Sequence, residues 1–355
     1  MLGLRPTFIR HATSLASSTR AAARATLANR SAQPSYPVIE TCPSPTCQCS
    51  PMPEGLDIDH ARHLNGTAPR YSQHLIISTG QADWKSRIED EKDSADWGRL
   101  VADFKGLLGR GGEYHDPYNN IILGTSSFTG KSKDTTSLSA VLFPSFKSIT
   151  NIPVQNASQS QSDHLRFLIR SLLLGESAPL HQQYDSSSIP SPLSITPITT
   201  PTILICSHMS RDSRCGILGP LLRDQLVEYI DLRNRQSQSQ SSEGQGKEEE
   251  NYIARIDDFY DSSPGVISNT PTDINMNINI NIGLTSHIGG HVWAGNMIIY
   301  IPPHTDISGT SSPPHPLAGK GIWYGRVEPK HVPGIFEETV VKGQVIKELL
   351  RGVVG

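Results

Sequence analysis

Long apolar runs are missing from this chain of 355 residues. No stretch of some 18 consecutive apolar residues occurs, so no membrane-spanning helix is expected. Aromatic residues are scarce at 6%, and hydrophobic residues reach only 36%. With 29 glycines and 26 prolines, long connections are expected beside the packed parts. Cysteine is thinly used: Cys42, Cys47, Cys49, Cys206 and Cys215. An odd and sparse set favours metal binding or redox chemistry over a disulfide framework. Acid is absent from the first 39 residues, which hold Arg5, Arg10, Arg20, Arg24 and Arg30 and no lysine. That composition, rich in Ala, Ser and Thr, is that of a mitochondrial presequence, placed at 1–35; a plain basic tail is the alternative. Its removal leaves a body five units more acidic than the formal −3 of the whole chain. An acidic body without basic patches argues against nucleic-acid binding.

What is present divides into two halves. The start of the first (36–190) is Pro-rich and holds "TCPSPTCQCSPMPEG". "SQHLIIST", "NNIILGTS" and "LSAVLFPSF" read as strands, and Ser94 to Leu108 as an amphipathic helix with Trp97, Val101, Phe104 and Leu108 on one side. "HLRFLIRSLLL" is a second helix, followed by a Ser/Pro/Thr-rich linker at about 185–202. The second half (191–355) opens with the buried-strand pattern "TILICSH". A helix follows from near Gly219, with Leu218, Leu222, Leu226, Tyr229 and Ile230 at helical spacing and Pro220 at its start. The low-complexity segment 236–250 reads as a disordered insertion. Two strands, "INMNININIG" and "NMIIYIP", flank the sequence "SHIGGHVWAGN". "SGTSSPPHPLAGK" reads as a flexible loop, "GIWYGRV" as a strand, and "VPGIFEETVVKGQVIKELLRG" as a helical tail. Strand, loop, helix, two strands and a final helix make a thioredoxin-like α/β arrangement. The first half echoes it as a degenerate repeat: "HLIISTGQADW" stands to "ILICSHMSRDS" as "SAVLFPSF" stands to "NMIIYIPP".

The chemistry gathers in the second half. His287 and His291 are four apart, but the intervening stretch lacks the glutamate of a helical H-E-x-x-H site. Gly289 and Gly290 would also weaken a helix by roughly 1 kcal/mol each. A tight loop between two strands is expected instead, its glycines letting the backbone fold closely. Together with Cys206 and Cys215 the pattern is C-x8-C … H-x3-H. Two thiolates and two imidazoles suit zinc or a [2Fe–2S] cluster alike. The wide cysteine spacing allows a loop around a larger object than one ion. Arg211, Arg214 and the start of the following helix favour thiolate there. Each residue also has a plain reading: Cys206 as a small buried hydrophobe, His287 as a hydrogen-bonded loop residue, and Arg211, Asp212 and Arg214 as a salt-bridged turn. His208 is a spare imidazole nearby.

"ICSHMSRDSRCGILGPLL", "SHIGGHVWAGNMIIYIP" and "GIWYGRVEPKHVPGIFEE" resemble the sucrase/ferredoxin-like family of thioredoxin-like [2Fe–2S] ferredoxins. "SQHLIISTGQADW" and "PMPEGLDID" are similar to its first half. Such ferredoxins hold their cluster with four cysteines, the second pair as C-x3-C, and here His287 and His291 stand in that pair's places. The resemblance implies that Cys206 and Cys215 hold one iron and the two histidines the other. It implies a mitochondrial one-electron carrier or redox sensor, served by redox protein partners, rather than an enzyme with its own substrate. The competing readings are a thiol-disulfide oxidoreductase and a structural zinc-binding module. The C-x-x-C of thiol exchange is absent after the first strand of this half. Cys42, Cys47 and Cys49 form C-x4-C-x-C, three ligands without a fourth, and no second cluster is expected of them.

Overall fold

In the computed structural model, residues 34–130, 137–153, 159–175, 190–241, 251–257, 259, 277–303 and 314–355 are described. The leader up to residue 33, residues 185–189 of the linker, insertion residues 242–250 and loop residues 308–313 lie outside them.

Thirteen strands were found among these residues: β1 Val38–Ile39, β2 Gln73–Ser78, β3 Ile121–Ser126, β4 Ser137–Phe143, β5 Lys147–Pro153, β6 Ser194–Pro197, β7 Thr202–Cys206, β8 Asn251–Ile256, β9 Asn277–Thr285, β10 Met297–Ile301, β11 Lys320–Tyr324, β12 Val345–Ile346 and β13 Leu350–Val354. The helices are α1 Asp96–Leu108, α2 Gln159–Leu168 (continued by a π turn), α3 Ser213–Ser241 and α4, a short helix with π turns over 332–341. β2, β7 and β10 are buried along their whole length, as apolar runs in the middle of a sheet require.

One mixed, eleven-stranded sheet runs through both halves in the order β6-β5-β4-β2-β3-β9-β7-β10-β11-β13, with β8 also on β9. In the first half β2 pairs parallel with β3 and antiparallel with β4, which pairs antiparallel with β5. In the second half β7 pairs parallel with β9 and antiparallel with β10, which pairs antiparallel with β11. A helix follows the first and the last strand of each set, so both halves carry the same order and directions. The halves join edge to edge where β3 meets β9 at Ser126 and Thr285. The sheet also coils until its faces meet. The Phe143 ring of β4 stacks on Tyr300 of β10 at 3.9 Å, although four strands lie between theirs in the sheet order. At this seam Trp323 donates to the Tyr71 hydroxyl (3.0 Å), and Tyr300 bonds both Tyr71 (2.8 Å) and His74 Nδ1 (2.9 Å). Burial holds His74 neutral, its pKa drawn down to about 3.

Four expectations change. α3 begins at Ser213, not near Gly219, so Pro220 lies inside the helix and Cys215 in its first turn. Its far end reaches Ser241, so the first residues of the expected disordered insertion are helical. The tail is helical only to Val341; Gly343, at φ +69°, turns the chain, and the β-branched residues beyond it form β12 and the edge strand β13. β5 and β8 had no counterpart in the sequence reading, and β6 lies in the expected linker. The Pro-rich start lies against the second half: β1 pairs with β12, and the Ser50 N–H bonds Gln225 of α3.

Two glycines test the packing. Gly106, on the exposed face of α1, has nothing within 4 Å of an added Cβ. Gly106→Ala should therefore stabilise the protein by about 0.5–1 kcal/mol. A Cβ on Gly219 would lie 2.5 Å from that of Ser207 and 2.7 Å from the Cys206 carbonyl. Gly219→Ala should cost about 1–3 kcal/mol. Urea-denaturation midpoints should move in opposite directions.

Candidate metal centre

Cys206 is the last residue of β7, paired across β9 with Thr285. Its N–H bonds the Asn296 carbonyl just before β10 (2.9 Å), and the Ser207 N–H bonds the Thr285 carbonyl (2.9 Å). β9 and β10 flank β7 on its two sides. The loop that joins them, 286–296, therefore crosses the end of β7 where Cys206 sits. His287 and His291 come to Cys206 by topology, not by sequence proximity.

Cys215 arrives from the other direction, on the first turn of α3. Gly216 and Gly219 let the helix settle directly on the segment after β7; a Cβ on Gly216 would be 2.5 Å from the Met209 Cα. Both cysteines are buried, Cys206 at 2% and Cys215 at 0% exposure. Hydrogen bonds draw the Cys206 pKa down to about 5, the Cys215 thiol contributing most and the His287 ring and Ile288 N–H adding to it against burial. Cys215 is pushed up, because it donates to Cys206 and is itself buried. The shared hydrogen bond favours thiolate at Cys206 and thiol at Cys215.

The histidine loop is held open-handed. Gly289 and Gly290 both take left-handed backbone, at φ +79° and +78°. The two histidine rings lie 5.4 Å apart between centroids. Nδ1 of His287 and Nδ1 of His291 are each buried without a hydrogen-bond partner. Burial lowers the His291 pKa; Asp212 opposes this, while His287, Arg214 and Arg211 add to it. A neutral imidazole with a buried free lone pair is what a metal requires of histidine. Among the described residues, no group of three or more His, Cys, Asp or Glu side chains is placed to hold a metal ion. The donors present come as two pairs, two sulfurs from β7 and α3 and two imidazoles from the loop, and their chemistry suits a [2Fe–2S] cluster.

Other residues serve as supports. His208 is spent: its Nδ1 accepts from the His287 N–H (2.8 Å), and its Nε2 faces the carbonyls of Trp84 (2.7 Å) and Lys85 (2.9 Å). It fixes the loop to the first half and has no lone pair left for a metal. Asp212 and Arg214 form the expected salt-bridged turn, at 2.9 and 2.8 Å, and Arg211 bonds Ser86. Asn296 donates to the Gly290 carbonyl (2.9 Å) and accepts from the buried Arg351 (2.7 Å). Sequence reading missed the supporting roles of Asn296 and Arg351, whose only signal was polarity inside or beside a strand. Cys42, Cys47 and Cys49 are not brought to this site. The Cys42 thiol faces the His331 carbonyl and Cys49 that of Cys47. Burial, aided by Glu348 and Glu338, raises the Cys42 pKa to about 12; burial and Cys47 raise that of Cys49 to about 11.

The profile of one protein family, described as sucrase/ferredoxin-like, matches residues 64–352, a span that takes in both halves and all four candidate ligands. The chain belongs to the sucrase/ferredoxin-like family. It is similar to Altered inheritance of mitochondria protein 32 of Clavispora lusitaniae, 27% identical over 91% of this chain and 98% of that protein. The protein of the same name from Meyerozyma guilliermondii is 25% identical over 89% and 95%. Actin patches distal protein 1 of Saccharomyces cerevisiae is 28% identical over a shorter region, 39% of this chain and 29% of its own. No solved structure matches.

The thiol–thiolate pair makes a direct prediction for reduced, metal-free protein. A thiol whose pKa is depressed by native contacts stays ionised as pH falls, until about 5 for Cys206. Ultraviolet thiolate absorbance should persist at pH 6 and vanish below about 5. Cys206→Ser should remove it, and Cys215→Ala should move its midpoint upward by withdrawing the main hydrogen-bond donor.

Proposed function

We propose that this chain is a mitochondrial one-electron carrier or redox sensor, and that its thioredoxin-like second half holds a [2Fe–2S] cluster through Cys206, Cys215, His287 and His291. The observation that carries the reading is the pair of buried, unpartnered histidine nitrogens beside a buried thiolate. The family's ferredoxin-like description supports it. So does the strand order of each half, a parallel pair extended on one side by an antiparallel strand and then its antiparallel neighbour, as in a thioredoxin-like fold. When bound, such a cluster takes up and releases one electron.

The chain's own residues set the conditions. The depressed pKa of Cys206 favours thiolate, which lowers the cost of binding a metal. His291 is held neutral by burial. Ile288, 8% exposed, and the loop over β7 limit water at the sulfurs. Among the described residues no helix is long and apolar enough to cross a membrane. The rival reading, a thiol-disulfide oxidoreductase, draws on the same hydrogen-bonded thiol–thiolate pair. It leaves the two histidine nitrogens without purpose.

Protein purified without oxygen from iron-replete cells should be reddish brown, with two irons and two acid-labile sulfides per chain. Cys206→Ser and Cys215→Ser should each lose most of both. Stoichiometric zinc, or colourless protein with full thiol-exchange activity, would contradict the reading. Mitochondrial placement rests on the acid-free leader and on the name of the fungal relatives. Residues 1–35 fused to a fluorescent reporter should carry it into mitochondria; a cytosolic reporter would reduce the leader to a basic tail.

A further inference from the structure

Arg351 on β13 is 1% exposed. Among the described residues its guanidinium forms no ion pair with a carboxylate, and each of its hydrogen bonds goes to a neutral oxygen. Nε donates to Thr67 Oγ1 (3.1 Å), Nη2 to the Thr67 carbonyl (3.0 Å), and Nη1 to the Gly289 carbonyl (2.9 Å) and Asn296 Oδ1 (2.7 Å). The rings of Trp293 and Trp323 lie 5.5 and 5.6 Å away, close enough to wall it in with apolar surface. Nothing in this fork of bonds requires a full positive charge. A buried cation with only neutral partners is costly, and arginine cannot escape by losing its proton.

The balancing charge lies across the loop. Arg351 grips the Gly289 carbonyl midway between the two histidines, and it grips Asn296, whose own carbonyl takes the Cys206 N–H. A Cβ at Gly290 would come within 2.8 Å of Nη2, so glycine there permits the close approach. Burial lowers the Arg351 pKa, and the sulfur side of the site, Cys206 before Cys215, opposes this.

We propose that Arg351 is the fixed counter-charge of the metal centre: it raises the reduction potential of the cluster held there. This rests on the cluster reading above. The sign follows from charge. Reduction adds one negative charge to the site, and a nearby buried cation favours the more negative form.

The test compares full-length wild type, Arg351→Lys and Arg351→Gln by the one-electron midpoint of the iron-loaded protein. Arg351→Gln should shift the reduction equilibrium at least tenfold toward the oxidised form, about 59 mV lower for a one-electron couple. Arg351→Lys, which keeps the charge but loses the fork, should stay closer to wild type. Equal shifts in Lys and Gln would make Arg351 a mere hydrogen-bonding brace and overturn the proposal, as would no shift in Gln. Should Gln fail to fold, Asn296→Asp sets a carboxylate against Nη1. The midpoint should then fall, and an unchanged one overturns the proposal. If no variant carries iron, the cluster reading fails and the proposal falls with it; iron-loaded variants with unchanged midpoints overturn the proposal alone.

Discussion

A loop that links the two neighbours of a strand has to pass over that strand's end. In this protein the strand is β7, the neighbours are β9 and β10, and the residue at the end is Cys206. The sequence 286–296 spends that crossing on two histidines and two left-handed glycines. Cys215 completes the set because α3 leaves the same strand end and returns over it, with glycine at its contact points. Distance along the chain is large, 206 to 291, yet the topology leaves these side chains little choice but to meet.

Meeting is not enough; the loop must also be held with its nitrogens unspent. That task falls to residues outside the donor set. His208 ties the His287 backbone to carbonyls of Trp84 and Lys85, and Arg351 ties the Gly289 carbonyl to Thr67. Trp84 and Lys85 follow β2, at the place in the first half that Asp212 and Ser213 occupy after β7 in the second. The first half thus supplies anchors where the second supplies ligands. A half with no cysteine or histidine in the matching loop, 79–95, can still brace the site.

Much of this was legible in the sequence. β2, β7 and β10 were readable because central strands are continuous apolar runs bounded by polar turns. The four donors were readable because two cysteines and two histidines stand on loops next to those strands. Pro220 misled the reading of α3: proline usually marks a helix start, but here the helix begins seven residues earlier and carries the proline within. In the tail, Val345 to Val354 keep a spacing that suits a helix until Gly343 turns the chain and an open sheet edge claims it. His208 and Arg351 gave no local sign. Their roles exist only through partners distant in sequence, some of them more than a hundred residues away, at Trp84, Lys85 and Thr67.

The central claim is that imidazole nitrogen from His287 and His291 completes the coordination begun by two thiolates. Pulsed electron paramagnetic resonance of the reduced protein, with 15N placed only in histidine, addresses it directly. Two histidine nitrogens strongly coupled to the electron spin are expected, one disappearing in His287→Cys and the other in His291→Cys. A reduced cluster with no coupled histidine nitrogen would contradict the account.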